Sequence, residues 1–280
     1  MKILITGCNG QLGIELSRQL QDIKHNEIIK MDKNNLDISD FEVVNNKIQD
    51  INPDIIINCA AFTAVDLCEQ EVELAYKINS LGARNLAIVA EKISAKLIHI
   101  STDYVFDGDT DDFYREDSYT NPKSIYGKSK LMGEKYVQQF CSKYFIIRTA
   151  WLYGDGKNFV KTMINISKKT KDIRVVNDQI GTPTSTVDLA KVIIALIKTE
   201  YYGIYHATCE GYCSWYDFAK KIFEIKKIDI NVIPVASSEY KAVAKRPANS
   251  VLDNFMLELV NLNTMRKWED ALEDYLKGEI

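Results

Sequence analysis

The chain has 280 residues, 46% hydrophobic and 26% charged, a balance that fits an ordinary globular protein and excludes a mostly disordered one. Its 35 basic and 39 acidic residues leave a formal net charge of -4 and are mixed along the sequence, so no basic stripe is offered to nucleic acid. Six scattered cysteines without a C-x-x-C pair exclude a disulfide scaffold and read as reduced thiols of a cytoplasmic protein; the apolar run after Lys2 is too short for a signal peptide or a membrane span.

Apolar periodicity then alternates between strand and helix. Ile3 to Ile5 reads as a strand, and Leu12, Leu16, Leu20 and Ile23 as one face of a helix. Ile28-Ile29 reads as a second strand, and Phe41, Val44, Ile48 and Ile51 as a second helical face. Ile55 to Ile57 predicts a buried strand, residues 71 to 93 a long helix, and Leu97 to Ile100 a further strand. A helix from about Ser124 to Phe140, its start punctuated by Pro122, leads into a strand at Phe145 to Ile147. This order predicts an α/β fold, a Rossmann-type doubly wound parallel sheet filling residues 1–150. Residues 187–197 read as a helix and 203–207 as a strand returning to that sheet, while the rest of 151–280 is expected to form a smaller substrate-binding cap with the ligand in the cleft between.

Gly7-Cys8-Asn9-Gly10-Gln11-Leu12-Gly13 lies between the first strand and first helix, where a dinucleotide pyrophosphate meets helix N-terminal amides. Its spacing, G-x-x-G-x-x-G, is similar to that of short-chain dehydrogenases. Asp32 follows the second strand, placed to accept hydrogen bonds from the adenosine ribose and so to favour NADH. Lys33 beside it leaves NADPH open. Tyr126 and Lys130 stand four residues apart on one helix face, so the ammonium is expected to lower the pKa of the phenol and make it a usable acid for carbonyl reduction. Thr102, at the end of the strand before, is expected to hydrogen-bond the same carbonyl oxygen. Gly127-Lys128-Ser129 lacks the upstream glycine of a P-loop, and the acidic stretch from Asp107 lacks the glycine and glutamate of an EF-hand. His25, His99 and His206 are isolated, so no metal is expected.

Beyond these motifs, Asn58 to Asp66, Ser101 to Phe106, Arg148 to Gly154, Asp178 to Thr184 and Arg246-Pro247 give the chain, over nearly its whole length, a sequence that resembles the dTDP-4-dehydrorhamnose reductase family of extended short-chain dehydrogenases. The resemblance implies NADPH- or NADH-dependent reduction of the 4-keto group of dTDP-4-dehydro-L-rhamnose. It implies Thr102, Tyr126 and Lys130 as the catalytic set. It also implies cofactor contacts from Gly7, Asn9, Gly10, Gln11, Leu12, Gly13, Asp32, Asp37, Ile38, Ala60, Ala61, Thr63, Tyr126 and Lys130. For the sugar nucleotide it implies Thr102, Asp103, Tyr104, Tyr126, Trp151, Asn158, Gln179 and Arg246. Trp151 would cover the sugar ring and Arg246 would hold the diphosphate. Met256 stands where relatives tend to carry lysine, and the oligomeric state stays open with a homodimer as one expectation.

Three other readings compete. Sugar-nucleotide 4,6-dehydratases resemble this chain but carry an Asp-Glu pair after the threonine, whereas here Thr102 precedes Asp103 and Tyr104, so simple reduction is preferred. The chain also resembles the dinucleotide-binding regulatory subunit of methionine adenosyltransferase, and the intact Thr102, Tyr126 and Lys130 set favours an enzyme instead. Another sugar-nucleotide 4-ketoreductase is the third alternative.

Overall fold

Ile3 and Ile5 point to one face of the first strand and Leu4 to the other, and all three are wholly buried, as a strand covered on both faces requires. The structure, a computed structural model, describes residues 1–23, 25–240 and 242–278; Lys24 lies outside these, as do Lys241, Glu279 and Ile280 of the stretch assigned to the cap. The first half runs β1 (Lys2–Thr6), α1 (Gln11–Gln21), β2 (Glu27–Met31), α2 (Phe41–Ile51), β3 (Ile55–Asn58) and the short α3 (Val65–Cys68). The expected long helix follows as α4 (Val72–Tyr76) and α5 (Ala83–Lys92), joined through a π turn at Lys77–Gly82. That turn brings Asn79 against Phe62 and Ser129, its amide nitrogen donating to Ser129 Oγ at 3.0 Å. Then come β4 (Lys96–Thr102), α6 (Ile125–Phe140) and β5 (Tyr144–Thr149).

The second half adds β6 (Leu152–Tyr153), α7 (Phe159–Ser167), β7 (Asp172–Val176), β8 (Ile180–Gly181), β9 (Thr184–Ser185), α8 (Thr186–Leu196) and β10 (Gly203–His206). It ends with β11 (Cys213–Ser214), α9 (Trp215–Lys226), β12 (Asn231–Val235), α10 (Phe255–Leu259) and α11 (Trp268–Gly278). The main sheet has six strands in the order β10-β5-β4-β3-β1-β2, and its pairings are all parallel. Helices α1 and α8 cover one face through Leu16, Leu20, Val192 and Ile193, and α2, α5 and α6 cover the other through Ile48, Leu86 and Val137. The remaining strands make three two-stranded ladders, β11-β8, β12-β7 and β6-β9, outside the main sheet.

The chain leaves β1 toward β2 on one side and returns to β3 on the other. At such a reversal the loops after the strands part, and a crevice opens at their carboxyl ends. The glycine loop, the end of β3 and the end of β4 all rise to that edge. No helix among the described residues is long and apolar enough to cross a membrane.

Candidate active site

The glycine loop is built for close approach. Gly7 has φ +63°, and a Cβ there would lie 2.6 Å from the backbone nitrogen of Ala60; a Cβ on Gly13 would lie 2.4 Å from the Gly7 carbonyl oxygen. Bare backbone lets β1, the end of β3 and α1 meet. Gly10 caps α1 with extended backbone and no side-chain hydrogen bond, so the first amides of α1 face the crevice without an internal acceptor. A pocket of about 250 Å³ opens beside them, lined by Gly7, Gly10, Asp37, Ile38, Ala60 and Ala61 together with Lys33. The Ser39 hydroxyl donates to Asp37 at 2.7 Å and lowers its carboxyl pKa.

Asp32 does not line that pocket. Its Oδ1 accepts from the backbone nitrogens of Asn34 and Asn35, both at 3.0 Å, and its Oδ2 accepts from Asn9 Nδ2 at 3.1 Å. The carboxylate therefore closes its own turn and anchors the glycine loop, and Lys33 is the charged residue of this pair that faces the space.

A larger cavity of about 610 Å³ continues from Asn9, Gln11, Leu12 and Gly13 past Thr63 to Thr102, Asp103, Tyr104, Tyr126, Lys130 and Trp151. Ser124 starts α6 by accepting from the Gly127 nitrogen at 3.1 Å. Gly127 allows that helix to touch the end of β4, since a Cβ there would lie 2.1 Å from the Tyr104 carbonyl oxygen. The contact brings Tyr126 beside Thr102 in the cavity wall and sets its ring edge-on to Tyr104 at 5.4 Å between centroids. Thr102 Oγ1 donates to Asp103 Oδ1 at 2.7 Å and accepts from the Tyr104 nitrogen at 3.2 Å.

Charge at this cluster differs from the expectation that Lys130 lowers the Tyr126 pKa. Burial dominates and pushes the phenol above its ordinary range, with the Asp103 carboxylate adding to the shift and only the Thr102 hydroxyl opposing it. Lys130 is itself buried, its ammonium donates to the Ile100 carbonyl oxygen at 2.5 Å, and burial pulls its pKa down to about 8 against the opposing pull of Glu134. Tyr126 therefore keeps its proton firmly, and Lys130 is protonated below about pH 8. Burial also raises the Asp103 carboxyl to about 6, opposed by hydrogen bonds including that from Thr102.

Residues not singled out from sequence complete the walls. Thr149 is paired in register with Thr102 across β4 and β5, and its buried Oγ1 lines the cavity with no partner among the described residues. Trp215, at the start of α9, stacks on Trp151. Its local signal was present: Ser214 and Asp217 form a capping box that fixes where α9 begins. The Trp151–Trp215 contact was not readable, because it joins residues far apart in the chain.

Three expected substrate contacts lie outside both cavities. Asn158 caps α7 by accepting from the Lys161 nitrogen at 2.9 Å, and its Nδ2 donates to the Gly154 carbonyl at 2.7 Å and to Gln11 Oε1 at 3.3 Å. Both ends of its amide are thus engaged, and it reaches the cavity through Gln11 and through the Gly156 carbonyl, to which its Nδ2 donates at 3.4 Å. Gln179 precedes β8, whose Ile180 nitrogen donates to the Ala248 carbonyl at 2.8 Å. Arg246 forms a two-pronged ion pair with Asp66 of α3, at 3.3 and 2.9 Å. It still acts on Tyr104, whose pKa burial raises and this guanidinium lowers.

The family model described as the RmlD substrate binding domain matches residues 1–279. The chain is 44% identical, over 99% of its length and 97% of the relative's, to the spore coat polysaccharide biosynthesis protein SpsK of Bacillus subtilis. A crystal structure of a dTDP-4-dehydrorhamnose reductase from Clostridium acetobutylicum superposes with TM-score 0.98 at 51% identity, covering 100% of this chain and 99% of that one. The dTDP-4-dehydrorhamnose reductase of Bacillus anthracis, crystallised in complex with NADP, gives TM-score 0.97 at 46% identity and covers 99% of each chain.

Proposed function

Because the chain belongs to the dTDP-4-dehydrorhamnose reductase family of extended short-chain dehydrogenases, we propose that it reduces the 4-keto group of dTDP-4-dehydro-L-rhamnose to give dTDP-L-rhamnose with NADPH or NADH. One observation carries the reading: Tyr126, Thr102 and Lys130 meet in a single cavity that runs from the glycine loop to Trp151 and Trp215. Its two ends suit the two ligands. Residues 1–150 with 187–207 take the dinucleotide, and the remainder of 151–280 closes over the sugar nucleotide.

The residues present fit a dinucleotide. Gly7 and Gly13 let β1, the end of β3 and α1 pack backbone to backbone, the uncapped amides at the start of α1 suit a pyrophosphate, and Asp37, Ile38 and Ala60 wall the adenosine pocket. When bound, the dinucleotide supplies the hydride. Tyr126 donates its phenolic proton to the carbonyl oxygen, which becomes an alkoxide and thus a stronger base than the phenolate left behind. A raised phenol pKa is compatible with that role, since the acid must hold its proton until the oxygen gains charge. Thr102 orients Tyr126 and is the group that favours the developing phenolate, and the Lys130 ammonium would hold the nicotinamide ribose.

On the sugar side, Trp151, Asp103 and Tyr104 meet the hexose. Arg246 meets the diphosphate by exchanging Asp66 for phosphate oxygens. Asn158 acts by fixing Gln11, and Gln179 stands beside Ile180, whose backbone nitrogen ties down the segment that carries Arg246. The six cysteines are unpaired, which supports a cytoplasmic setting. Exposed Leu67, Leu74 and Met132 on α3, α4 and α6 support a homodimer. The purified chain given dTDP-4-dehydro-L-rhamnose with NADPH or NADH should oxidise the coenzyme and form dTDP-L-rhamnose; absence of coenzyme oxidation with that substrate overturns the reading.

A further inference from the structure

Behind the cavity, α6 carries a third polar residue in line with Tyr126 and Lys130. Glu134 is one helical turn beyond Lys130 and 1% exposed, so its side chain lies on the same face. Two neighbouring positions of β4 hold the pair: the Ile100 carbonyl accepts from Lys130 Nζ, and Ser101 Oγ donates to Glu134 Oε1, both at 2.5 Å. Arg148 of β5 holds the carboxylate from the other side, with Nε at 3.1 Å from Oε1 and a second guanidinium nitrogen at 2.8 Å from Oε2. Arg148 is buried as well, lies over the Phe106 ring at 5.1 Å and approaches His206 Nε2 at 3.4 Å. So costly a set of buried charges is poor evidence of stability by itself, since an apolar pair of similar size often does as well. Its placement against the catalytic lysine calls for another use.

We propose that Glu134 is a positioning residue of the reduction, supplying the negative charge that keeps Lys130 cationic in a site that excludes water. The proposal rests on the reductase reading, in which Lys130 must be charged. Four elements show what faces this ammonium. From α6 come Tyr126 and Glu134, from the end of β3 the Cys59 thiol, from β4 His99, and beyond Glu134 the Arg148 guanidinium of β5. Burial pushes the Cys59 thiol up to about 12 and holds His99 well below its ordinary value, so both are neutral at physiological pH. Glu134 is left as the anion that opposes the burial of Lys130. Arg148 and Ser101 keep the carboxylate from swinging into direct contact, which would draw the ammonium away from the ribose.

The sign follows from the chemistry. Lys130 is active when protonated, so activity is present below its pKa and falls as the pH rises through about 8. Glu134→Gln removes the opposing charge and moves that alkaline limb of kcat/KM to lower pH by about one unit, an opposite charge nearby being worth roughly 1–3 units. The loss should be about fivefold at pH 8 and small near pH 6. Dinucleotide affinity, titrated by fluorescence over the same range, should show the same displaced limb. Since Glu134→Gln leaves Arg148 buried and unpaired, Glu134→Leu with Arg148→Met serves as the second variant, expected to fold and to show a smaller displacement in the same direction, because the more distant Arg148 cation is removed with the anion. A limb that stays at the parental pH in either folded variant overturns the proposal, and failure of both to fold makes Glu134 a structural residue and overturns it too. An unmodified chain that reduces no 4-keto sugar nucleotide at any pH would instead count against the reductase reading.

Discussion

Trp151 lies face to face with Trp215, ring centroids 3.5 Å apart and planes 8° from parallel. The first follows the last strand of the dinucleotide half and the second begins α9, so the stack fixes one wall of the cavity across the two parts of the chain. Trp151 holds its pose at φ +46°, where a non-glycine residue is uncommon and needs support from its surroundings. Trp215 supplies that support, and Phe159 packs on Trp215 in turn at 4.6 Å.

Trp215→Ala should therefore raise the KM for the sugar nucleotide and leave dinucleotide affinity near the parental value. An aromatic pair contributes about 0.5–1.5 kcal/mol beyond the area it buries, which corresponds to roughly 2- to 10-fold in KM. Steady-state kinetics with each ligand varied in turn decide it; equal losses for both would show the stack to be a general packing element.

Gly13→Ala should reduce dinucleotide binding. The added methyl would sit 2.4 Å from the Gly7 carbonyl oxygen and 2.8 Å from Cys8 Cα, and both are backbone atoms of the loop proposed to take the pyrophosphate. Relief requires the loop to move, at a cost on the order of 1–3 kcal/mol. A fluorescence titration with NADPH should show weaker binding, and unchanged affinity would mean that the loop is not the pyrophosphate site.

Coenzyme choice should depend on Lys33 more than on Asp32. Lys33 lines the pocket beside Asp37 and Ile38, whereas the Asp32 oxygens are committed to Asn9, Asn34 and Asn35. Lys33→Ala should weaken NADPH relative to NADH, by removing the cation that meets a 2′-phosphate. Asp32→Ala should weaken both alike by loosening the turn. Comparison of kcat/KM for the two coenzymes separates the cases, and an Asp32→Ala enzyme that shifts toward NADPH alone would return the ribose role to Asp32.

Much of this architecture was legible in the chain. The unbroken apolar run from Ile3 to Ile5 and helical spacing at Leu12, Leu16 and Leu20 fix their elements locally, and the glycine spacing marks the crevice because a single loop makes it. Tyr126 and Lys130 share one helix, so their proximity follows from the period alone. Asp32, Asn158 and Arg246 were less legible. Each has a residue type suited to a ligand contact, yet which partner it takes depends on loops brought together only by the fold: Asn9 for Asp32, Gly154 for Asn158, Asp66 for Arg246. The charge state of Tyr126 was hidden for a related reason. Spacing brings an ammonium near the phenol, but burial decides its pKa, and burial is a property of the closed cleft.

Single-turnover reduction by Tyr126→Phe tests the central claim most directly. The substitution keeps the ring that packs edge-on against Tyr104 and deletes the hydroxyl proposed to give its proton to the carbonyl oxygen. With enzyme saturated by NADPH and in excess over dTDP-4-dehydro-L-rhamnose, the rate of coenzyme oxidation should fall by about 10²- to 10⁴-fold, while dinucleotide affinity stays close to that of the parent chain. Reduction at near the parental rate would contradict the account, because the proton would then come from a group other than Tyr126.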